Sequence, residues 1–432
     1  MAASQRDRRL LELHYDNMLA CIRCGLCSSV CPTYQQTLIE EQSPRGRIAI
    51  ARALAEGHLA VTPDLLHAMD SCLLCEACTA ICPSGVHMEG IGEAVRTLVT
   101  QEQARPASWR ERLVRWVGFR LLLNDLARLR TFAWLNRVYQ RSGLRTLVRR
   151  TGVLRLLGLE RAEAFLPDLP QEFFVPRGQT WQPAAGPARR RVAVVAGCVM
   201  STAFADTDRA TVEVLTANGC EVVAPAGQAC CGAIHAHSGE LPLAQELARQ
   251  NIRAFQDLDL DAIVVNAAGC GSMLKGYGRL LADDPEYAQA AAEFSAKVKD
   301  ITEFLDGLPL VPPGKLEVTV TFQEPCHLAH AQGIKQAPRR LLRAVPGLTL
   351  VEMAESDRCC GSAGIYNLTQ PAMSDELLQR KVRHILATGA DFVVTANPGC
   401  QMQVQAGLRA AGSSARVIHI VDLLAQAYQN GR

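Results

Sequence analysis

Two short stretches, CIRCGLCSSVCP at residues 21–32 and CLLCEACTAICP at residues 72–83, decide how the first part of this chain folds. Both have the spacing C-x2-C-x2-C-x3-C-P, which is typical of bacterial ferredoxins. A cubane [4Fe–4S] cluster needs four thiolates, and in two-cluster ferredoxins the fourth comes from the other run. The spacing therefore predicts two clusters: one on Cys21, Cys24, Cys27 and Cys82, and a second on Cys72, Cys75, Cys78 and Cys31.

Structural zinc is the alternative for these cysteines, because zinc sites also use C-x2-C pairs. A four-coordinate zinc ion explains neither the third cysteine at the same spacing nor the proline after the fourth. Both features occur twice here, before Pro32 and before Pro83. We therefore expect two [4Fe–4S] clusters in this part of the chain.

The segment between the two runs contains RGRIAIARALAEG, residues 45–57, which predicts a helix. Arg45 and Arg47 at its start have two interpretations. They are a solvated helix N-terminus, or they are positive charges that offset a thiolate-ligated cluster or dock a partner. The sequence alone does not separate these interpretations.

Residues 105–161 have an unusual composition, with 14 arginines, no lysine and three acidic residues, a net charge of +11. Three of the four tryptophans of the chain also lie here, and WRERLVRWVGFRLLLNDLARLR has helical periodicity. One interpretation is a set of helices on an anionic membrane surface or on a partner. The other is a helical connector with solvated arginines. The five prolines of residues 166–190 then predict an extended linker.

The second half of the chain is an internal repeat. RVAVVAGC, which ends at Cys198, matches VTVTFQEPC, which ends at Cys326. In each copy a CCG stretch and then a cysteine after a strand follow, and the matching cysteines of the two copies are 129 to 130 residues apart. Alternating strands and helices predict parallel sheets, whose sites lie at the strand ends. The marker cysteines are candidate ligands for a further cluster or zinc, or small buried residues. They are Cys198, Cys230, Cys231 and Cys270 in the first repeat, and Cys326, Cys359, Cys360 and Cys400 in the second.

Three histidines, His235, His237 and His327, stand near these cysteines in the sequence. Each is a candidate ligand or a proton donor to a quinone, and the simplest role is a hydrogen bond within a turn. We expect no separate catalytic residue on this chain.

Composition excludes several classes of protein. The 432 residues carry a net charge of +2, so a globally basic nucleic-acid binder is not indicated. No stretch is long and apolar enough to span a membrane, and the N-terminus lacks the apolar core of a signal peptide. The 17 cysteines then favour metal ligation over disulfides. We expect a cytoplasmic protein, peripheral on the inner face of the cell membrane.

The combination of these motifs resembles the glycolate oxidase iron–sulfur subunit family. The resemblance rests on the two cysteine runs, on SPRGRI, and on QACCGAIHAHSG, NAAGCGSMLKGYG, RCCGSAGIYNLTQP and TANPGCQMQ. It implies an electron-transfer subunit that receives electrons from FAD-containing partner subunits oxidising glycolate, or D-lactate, and passes them toward a membrane quinone. FAD is expected on those partners, because no G-x-G-x-x-G follows a strand here.

Two related families have the same parts and give alternative functions. One is the electron-transfer subunit of anaerobic glycerol-3-phosphate dehydrogenase, and the other is the catalytic subunit of heterodisulfide reductase. The CCG domains of the latter resemble the pattern C…CC…C-x-x-C, which supplies five thiolates to a pair of fused clusters. Here Met273 and Gln403 replace the last cysteine of that pattern in both repeats, which counts against disulfide reduction.

Together these features predict an α+β multidomain chain. Residues 1–104 form a helical two-cluster ferredoxin-type domain, and residues 105–190 form the arginine-rich connector and proline-rich linker. Residues 191–312 and 313–432 form two tandem α/β CCG domains.

Overall fold

The computed structural model of the chain describes residues 10–101, 109–156 and 158–431. The boundary expected between residues 104 and 105 lies outside the described residues. Helices dominate the N-terminal half and two mostly parallel sheets the C-terminal half, so the predicted α+β multidomain class is confirmed.

The N-terminal domain is built from short helices joined by cysteine-bearing loops. Ser43 and Thr62 cap two of these helices by accepting hydrogen bonds from the amides of Gly46 and Leu65, and a proline opens each helix. The predicted helix over 45–57 is therefore observed from residue 44 to 55. The helices are α1 (Tyr15–Leu19), α2 (Leu26–Val30), α3 (Pro32–Thr37), α4 (Pro44–Ala55), α5 (Pro63–Asp70), α6 (Ala77–Ala80) and α7 (Met88–Gln101), with a 3-10 turn at Glu40–Gln42.

The arginine-rich connector is helical, as its periodicity predicts. Asp125 caps its longest helix by accepting hydrogen bonds from the amides of Ala127 and Arg128. Leu126 and Phe119 are buried against the first repeat, so one side of the connector packs on that repeat. Its elements are α8 (Trp109–Arg115), a π-helical segment (Trp116–Leu122), α9 (Leu126–Arg141), α10 (Leu144–Thr151), α11 (Val153–Leu156) and α12 (Glu160–Ala164).

The proline-rich linker contains a strand that its composition did not predict. Gln179–Trp181 forms β1, which pairs antiparallel with β3 (Cys220–Ala224) at the edge of the first sheet. An edge strand tolerates nearby prolines, because only one of its sides needs backbone partners.

The first repeat is an open sheet with strand order β1-β3-β2-β4-β5, in which all strands after β1 pair in parallel. Its further strands are β2 (Arg190–Val194), β4 (Ala262–Val265) and β5 (Val298–Asp300). Its helices are α13 (Val199–Ala203), α14 (Ala205–Ala217), α15 (Ala233–His237), α16 (Leu241–Phe255), α17 (Ala268–Lys275), α18 (Tyr277–Leu280), α19 (Ala288–Lys297) and α20 (Ile301–Asp306).

The second repeat has the all-parallel strand order β7-β6-β8-β9, which matches β3-β2-β4-β5 of the first. The matching order agrees with the duplication read from the sequence. Its strands are β6 (Val318–Phe322), β7 (Leu348–Leu350), β8 (Phe392–Thr395) and β9 (Arg416–His419). A π-helical turn (His327–Ala331) follows β6, and the helices are α21 (Ala337–Arg343), α22 (Tyr366–Thr369), α23 (Pro371–Leu386), α24 (Pro398–Ala410) and α25 (Ile420–Asn430).

The two repeats share one hydrophobic core, to which β2 and β6 both contribute. The loops after β4 and β8 meet, because the Ala268 amide donates to the Ala396 carbonyl at 3.0 Å. This contact brings the carboxyl ends of the two sheets together. Sites of open α/β sheets lie at those ends.

The N-terminal domain packs on both repeats through α7 and the second cysteine loop. Arg96 on α7 donates to the His237 carbonyl at 2.8 Å, and Tyr366 donates to the Ser71 carbonyl at 2.9 Å. At Gly239 the first repeat approaches so closely that a Cβ would lie 2.4 Å from the Arg96 carbonyl oxygen. Glycine at this position therefore permits the docking.

Candidate functional site

The first predicted ligand set gathers around one cavity. Cys21, Cys24 and Cys27 of the first run and Cys82 of the second line it, together with Cys78. Cys24 is exposed and the other three of the set are partly buried. The cavity therefore lies near the surface of the N-terminal domain.

The second predicted set lines a neighbouring, more enclosed cavity. Cys72, Cys75 and Cys78 of the second run form its wall together with Cys31 of the first. Cys31 and Cys72 are buried. Each cavity thus carries three cysteines of one run and the last cysteine of the other, and Cys78 lines both cavities.

The two cysteine loops have the same backbone conformation. Arg23 and Gly25 have positive φ angles of 56° and 84°, and at the matching positions of the second loop Leu74 and Glu76 have 50° and 60°. Non-glycine residues rarely adopt this conformation, and where they do the surrounding structure imposes it. The turn lets backbone amides approach sulfur, as in the 3.5 Å contact from Leu74 N to Cys72 Sγ.

The chemistry of the thiols fits a metal cluster. Burial raises the pKa of Cys27, Cys75 and Cys78, so as isolated side chains these thiols stay protonated. Coordination to a metal deprotonates a thiol, and backbone N–H groups then stabilise the thiolate sulfur. Four such thiols around each cavity suit a [4Fe–4S] cluster.

Arg47 supports the second cavity from within the protein. Its side chain is 1% exposed and donates hydrogen bonds to the Ala68 carbonyl, Thr33 Oγ1 and Ser71 Oγ at 2.8 to 3.0 Å. Nη1 lies 3.9 Å from Cys31 Sγ. Of the two interpretations open for this arginine, the solvated one is wrong, because the guanidinium is buried beside a candidate ligand.

Arg45, two residues earlier, behaves differently. It forms an ion pair with Glu40 at 2.6 Å and is about one-third exposed. Its Nη1 also reaches the carbonyl of Arg23 in the first cysteine loop at 3.4 Å. It therefore braces that loop from the solvent side.

The four marker cysteines of the first repeat come together after the strand ends. Cys230 Sγ lies 3.5 Å from Cys198 Sγ, and Cys231 Sγ lies 3.3 Å from Cys270 Sγ. Two uncharged side chains hold the loop of the CC pair: Asn251 donates to the Cys230 carbonyl at 3.0 Å, and the Tyr277 hydroxyl donates to the Cys231 carbonyl at 2.8 Å. The hydrogen bonds to the backbone of this CC pair therefore come from uncharged side chains.

The second repeat also brings its four cysteines together, in a more polar setting. Hydrogen bonds from Cys359 and Cys400, with the positive charge of Lys381 adding to them, hold the pKa of Cys360 well below its usual range. Lys381 is 2% exposed, and Nζ donates to the Glu355 and Ser356 carbonyls. Burial lowers the pKa of Lys381 while the thiols of Cys359, Cys360 and Cys400 raise it, so an anionic occupant would favour the charged ammonium.

The two thiol groups also differ in their neighbours. Cys326 and Cys359 of the second repeat pack in one hydrophobic cluster with Leu73 and Cys75 of the second cysteine loop. His327 Nε2 lies 2.9 Å from the Leu74 carbonyl of the same loop. The second repeat therefore places its thiols directly against the second cavity.

The three candidate histidines occupy two environments, with His235 apart from the other two. His235 is buried, and Nε2 lies 3.1 Å from the Phe119 carbonyl of the connector. This agrees with the role of a hydrogen bonder. The rings of His237 and His327 lie 5.5 Å apart, where the two repeats meet α7.

The positions that lack a fifth cysteine are filled by ordinary packing. Met273 is buried in the core of the first repeat. Gln403 is fully buried, donates to Ser374 Oγ at 2.9 Å and accepts from Asn367 Nδ2 at 3.0 Å. Both side chains therefore stand at the sequence positions of the missing fifth cysteines and are held by their own packing.

Some residues of the site were not predicted from the sequence. Lys381 lies in a helical pattern whose periodicity marks it only as one polar residue among many. The repeat itself offers a signal, because Lys381 occupies the position in α23 that Asn251 occupies in α16. A charge change at a matched position of a duplicated pair indicates that the two sites differ.

Family models match along most of the chain. The 4Fe-4S dicluster domain matches residues 17–86, and the cysteine-rich domain matches residues 192–275 and 320–405. The linker region of the glycolate oxidase iron-sulfur subunit matches residues 110–166. This last model covers the arginine-rich connector.

Curated relatives extend the similarity to nearly full length. The probable glycolate oxidase iron-sulfur subunit of Bacillus subtilis (strain 168) is 42% identical, covering 95% of this chain and 94% of that protein. The glycolate oxidase iron-sulfur subunit of Escherichia coli (strain K12) is 33% identical, covering 98% and 97%. Lactate utilization protein A of Oceanobacillus iheyensis is 34% identical, covering 54% of this chain and 96% of that protein. The resemblance inferred from the motifs is confirmed: the chain belongs to the glycolate oxidase iron–sulfur subunit family.

Proposed function

We propose that this chain is the electron-transfer subunit of a glycolate oxidase complex and carries two [4Fe–4S] clusters. One is held by Cys21, Cys24, Cys27 and Cys82, and the other by Cys72, Cys75, Cys78 and Cys31. The observation that carries the proposal is the pair of adjacent cavities, each lined by three cysteines of one run and the last of the other, with Cys78 lining both. When bound, a [4Fe–4S] cluster accepts and releases one electron at a time.

The residues around the cavities suit a directional path. The first cavity is near the surface, where Cys24 is exposed to a partner. The second is enclosed, and Cys75 contacts the thiol group of the second repeat. Electrons would enter from a partner at the first set of thiols and leave the N-terminal domain toward Cys326.

We propose that the second repeat, rather than the first, holds a further metal group. Lys381 supplies a positive charge there, whereas Asn251 occupies the matched position of the first repeat. The contact of Cys326 and Cys359 with the second cysteine loop supports the same choice. The first thiol group would then serve as a packed part of its own core.

The substrate would be bound by partner subunits that carry FAD. The sequence has no dinucleotide-binding G-x-G-x-x-G after a strand, so the flavin that takes a hydride from a 2-hydroxy acid must lie elsewhere. The names of the relatives favour glycolate, with lactate as a second 2-hydroxy acid. The electron acceptor would be a membrane quinone.

The arginine-rich connector is the proposed membrane surface. Trp109 and Val114 are 69% and 70% exposed, and Trp116 and Trp134 are also exposed. Aromatic and arginine side chains together are typical of helices that lie in a lipid interface. No helix among residues 10–101, 109–156 and 158–431 is long and apolar enough to cross a membrane.

The structure limits which arginines can serve this surface. Arg115 pairs with Glu240 at 2.8 Å, and Arg161 pairs with Asp375 at 2.7 Å, so these two bind the connector to the repeats. Arg120, Arg141 and Arg150 are exposed and form no ion pair with a described residue. The last three are therefore among the described side chains that are available to an anionic lipid.

The first experiment tests the electron-transfer role in the assembled complex. The chain is purified with its flavoprotein partners and analysed for iron, sulfide and flavin. We expect glycolate to reduce the clusters, seen by low-temperature EPR, only when a flavoprotein is present. Reduction by glycerol 3-phosphate instead would support the alternative dehydrogenase. Reduction of a disulfide by this chain alone would refute the proposal.

The second experiment tests the membrane surface. Replacing Arg120, Arg141 and Arg150 with glutamine removes three charges worth about 1 kcal/mol each near an anionic leaflet, so binding to anionic vesicles should weaken roughly 100-fold. Quinone reduction should slow, while reduction of a soluble dye stays intact. The matched control replaces three exposed arginines outside the connector helices, Arg189, Arg253 and Arg383. Equal effects of the two triple variants would reject the connector as the membrane surface, and failed assembly would assign it to a partner subunit.

A further inference from the structure

Side chains from three different domains meet beside the second cavity without belonging to it. Glu89 lies on α7 of the N-terminal domain, His237 ends α15 of the first repeat, and His327 follows β6 of the second repeat. One candidate ligand atom of each lies within 4.8 Å of those of the other two. His237 Nε2 is 3.4 Å from Glu89 Oε1.

Two further carboxylates lie near this triad, and each has an oxygen that lacks a hydrogen-bond partner among the described residues. Glu93 Oε1 lies 3.5 Å from His237 Nε2, too far for a good hydrogen bond, and has no hydrogen-bond partner among the described residues. Glu76 is 4% exposed, and its Oε1 is likewise without a described partner.

The geometry points to a metal site: we propose that Glu89, His237 and His327 bind one divalent transition-metal ion, Zn²⁺ or Fe²⁺, at the junction of the three domains. Two imidazoles and a carboxylate are an established donor set for both ions. Glu93 stands beside the triad, outside the ligand set, with Oε1 3.5 Å from His237 Nε2. None of these residues belongs to the cysteine sets.

An access route supports the proposal. A cavity of about 700 Å³ between the N-terminal domain and the first repeat is lined by Glu76, Glu89 and Glu93, and Arg279 faces them. A hydrated cation that entered this cavity would meet the triad at Glu89, the member of the triad that lines it. An open coordination position would face the same space, which is the arrangement of metal sites with three protein ligands.

The ion would act as a cross-link between domains. His327 follows Cys326 directly and contacts the carbonyl of Leu74, between Cys72 and Cys75. Fixing His327 to α7 and to the first repeat therefore fixes the second cysteine loop against the second thiol group. The alternative is a purely hydrogen-bonded network of two histidines and two carboxylates.

The test uses Zn²⁺ as the probe on the full chain with its iron–sulfur clusters intact. Protein is exposed to Zn²⁺, dialysed, and examined by metal analysis and by X-ray absorption at the zinc edge. We expect about one zinc per chain with nitrogen and oxygen neighbours at about 2.0–2.1 Å, rather than sulfur at about 2.3 Å. Sulfur-only coordination would place the ion on the CCG thiols and overturn the proposal.

Variants assign the site to residues. His237→Ala and Glu89→Gln should each weaken zinc binding at least tenfold and remove the nitrogen and oxygen signal. His87→Ala is the matched control, because His87 lines the same cavity outside the triad. Nitrogen and oxygen coordination retained in both variants, or absent from the unmodified chain, refutes the site. The measurement on the unmodified chain decides the question even where a variant fails to fold.

Discussion

Replacing the buried Arg47 by methionine should lower the reduction potential of one cluster and leave the other unchanged. The guanidinium lies 3.9 Å from Cys31 Sγ. Since an added electron spreads over a whole cluster, about 8 Å is a reasonable separation between the two charges. With an effective dielectric constant of about 20, the interaction is about 2 kcal/mol, or about 90 mV for one electron. A nearby positive charge stabilises the reduced cluster, so its loss makes the potential more negative.

The assay is a redox titration of the purified chain followed by EPR, with iron content measured first. The cluster that includes Cys31 should shift by about −90 mV. Arg47→Lys keeps the charge and should keep the potential within about 30 mV. Arg45→Gln removes a partly exposed, paired arginine and should also have a small effect. A shift confined to the other cluster would show that Cys31 is not shared across the two runs, and no shift would refute the electrostatic reasoning.

Three further predictions concern the ligands and the domain interface. Cys31→Ser and Cys21→Ser should abolish the EPR signals of different clusters, and loss of the same signal in both would reject the crossed ligand sets. Lys381→Met should lower the iron content from about 12 to about 8 atoms per chain, because the buried charge that favours an anionic cluster in the second repeat is gone. An iron content of about 8 atoms in the unmodified chain would mean that neither repeat holds a cluster. Gly239→Ala should lower the unfolding midpoint more than Gly186→Ala, because both have positive φ but only the first Cβ would meet the backbone of α7; equal midpoints would contradict the tight docking.

The sequence predicted those parts of the molecule that depend on spacing. Cysteines at fixed intervals define the loops, and a nearly constant offset defines the repeat, so both are visible without coordinates. Contacts between distant segments are not visible in this way. Arg161 pairs with Asp375, so a segment that appears strongly positive in the sequence is partly neutralised by a remote acid. Strand β1 was missed because prolines around it dominate the local pattern.

The burial of Arg47 is a second example of a contact that cannot be predicted from the sequence. A basic residue two positions into a helix is most simply solvated, and only the packing of α4 against α5 places it between Cys31 and Ser71. Lys381 is similar, since α23 alone gives no reason to bury an amine. Charges near a redox centre are set by tertiary structure, whereas the ligands are set by short motifs.

The interleaving of the two cysteine runs has implications for biosynthesis. As the chain leaves the ribosome, Cys21, Cys24 and Cys27 emerge long before Cys82, and Cys31 emerges long before Cys72. Neither cavity exists until the second run has been translated and folded back onto the first. Insertion of either cluster would then be a late event that follows collapse of the whole N-terminal domain. The two clusters would therefore be inserted at the same stage of biosynthesis, although each has its own set of ligands.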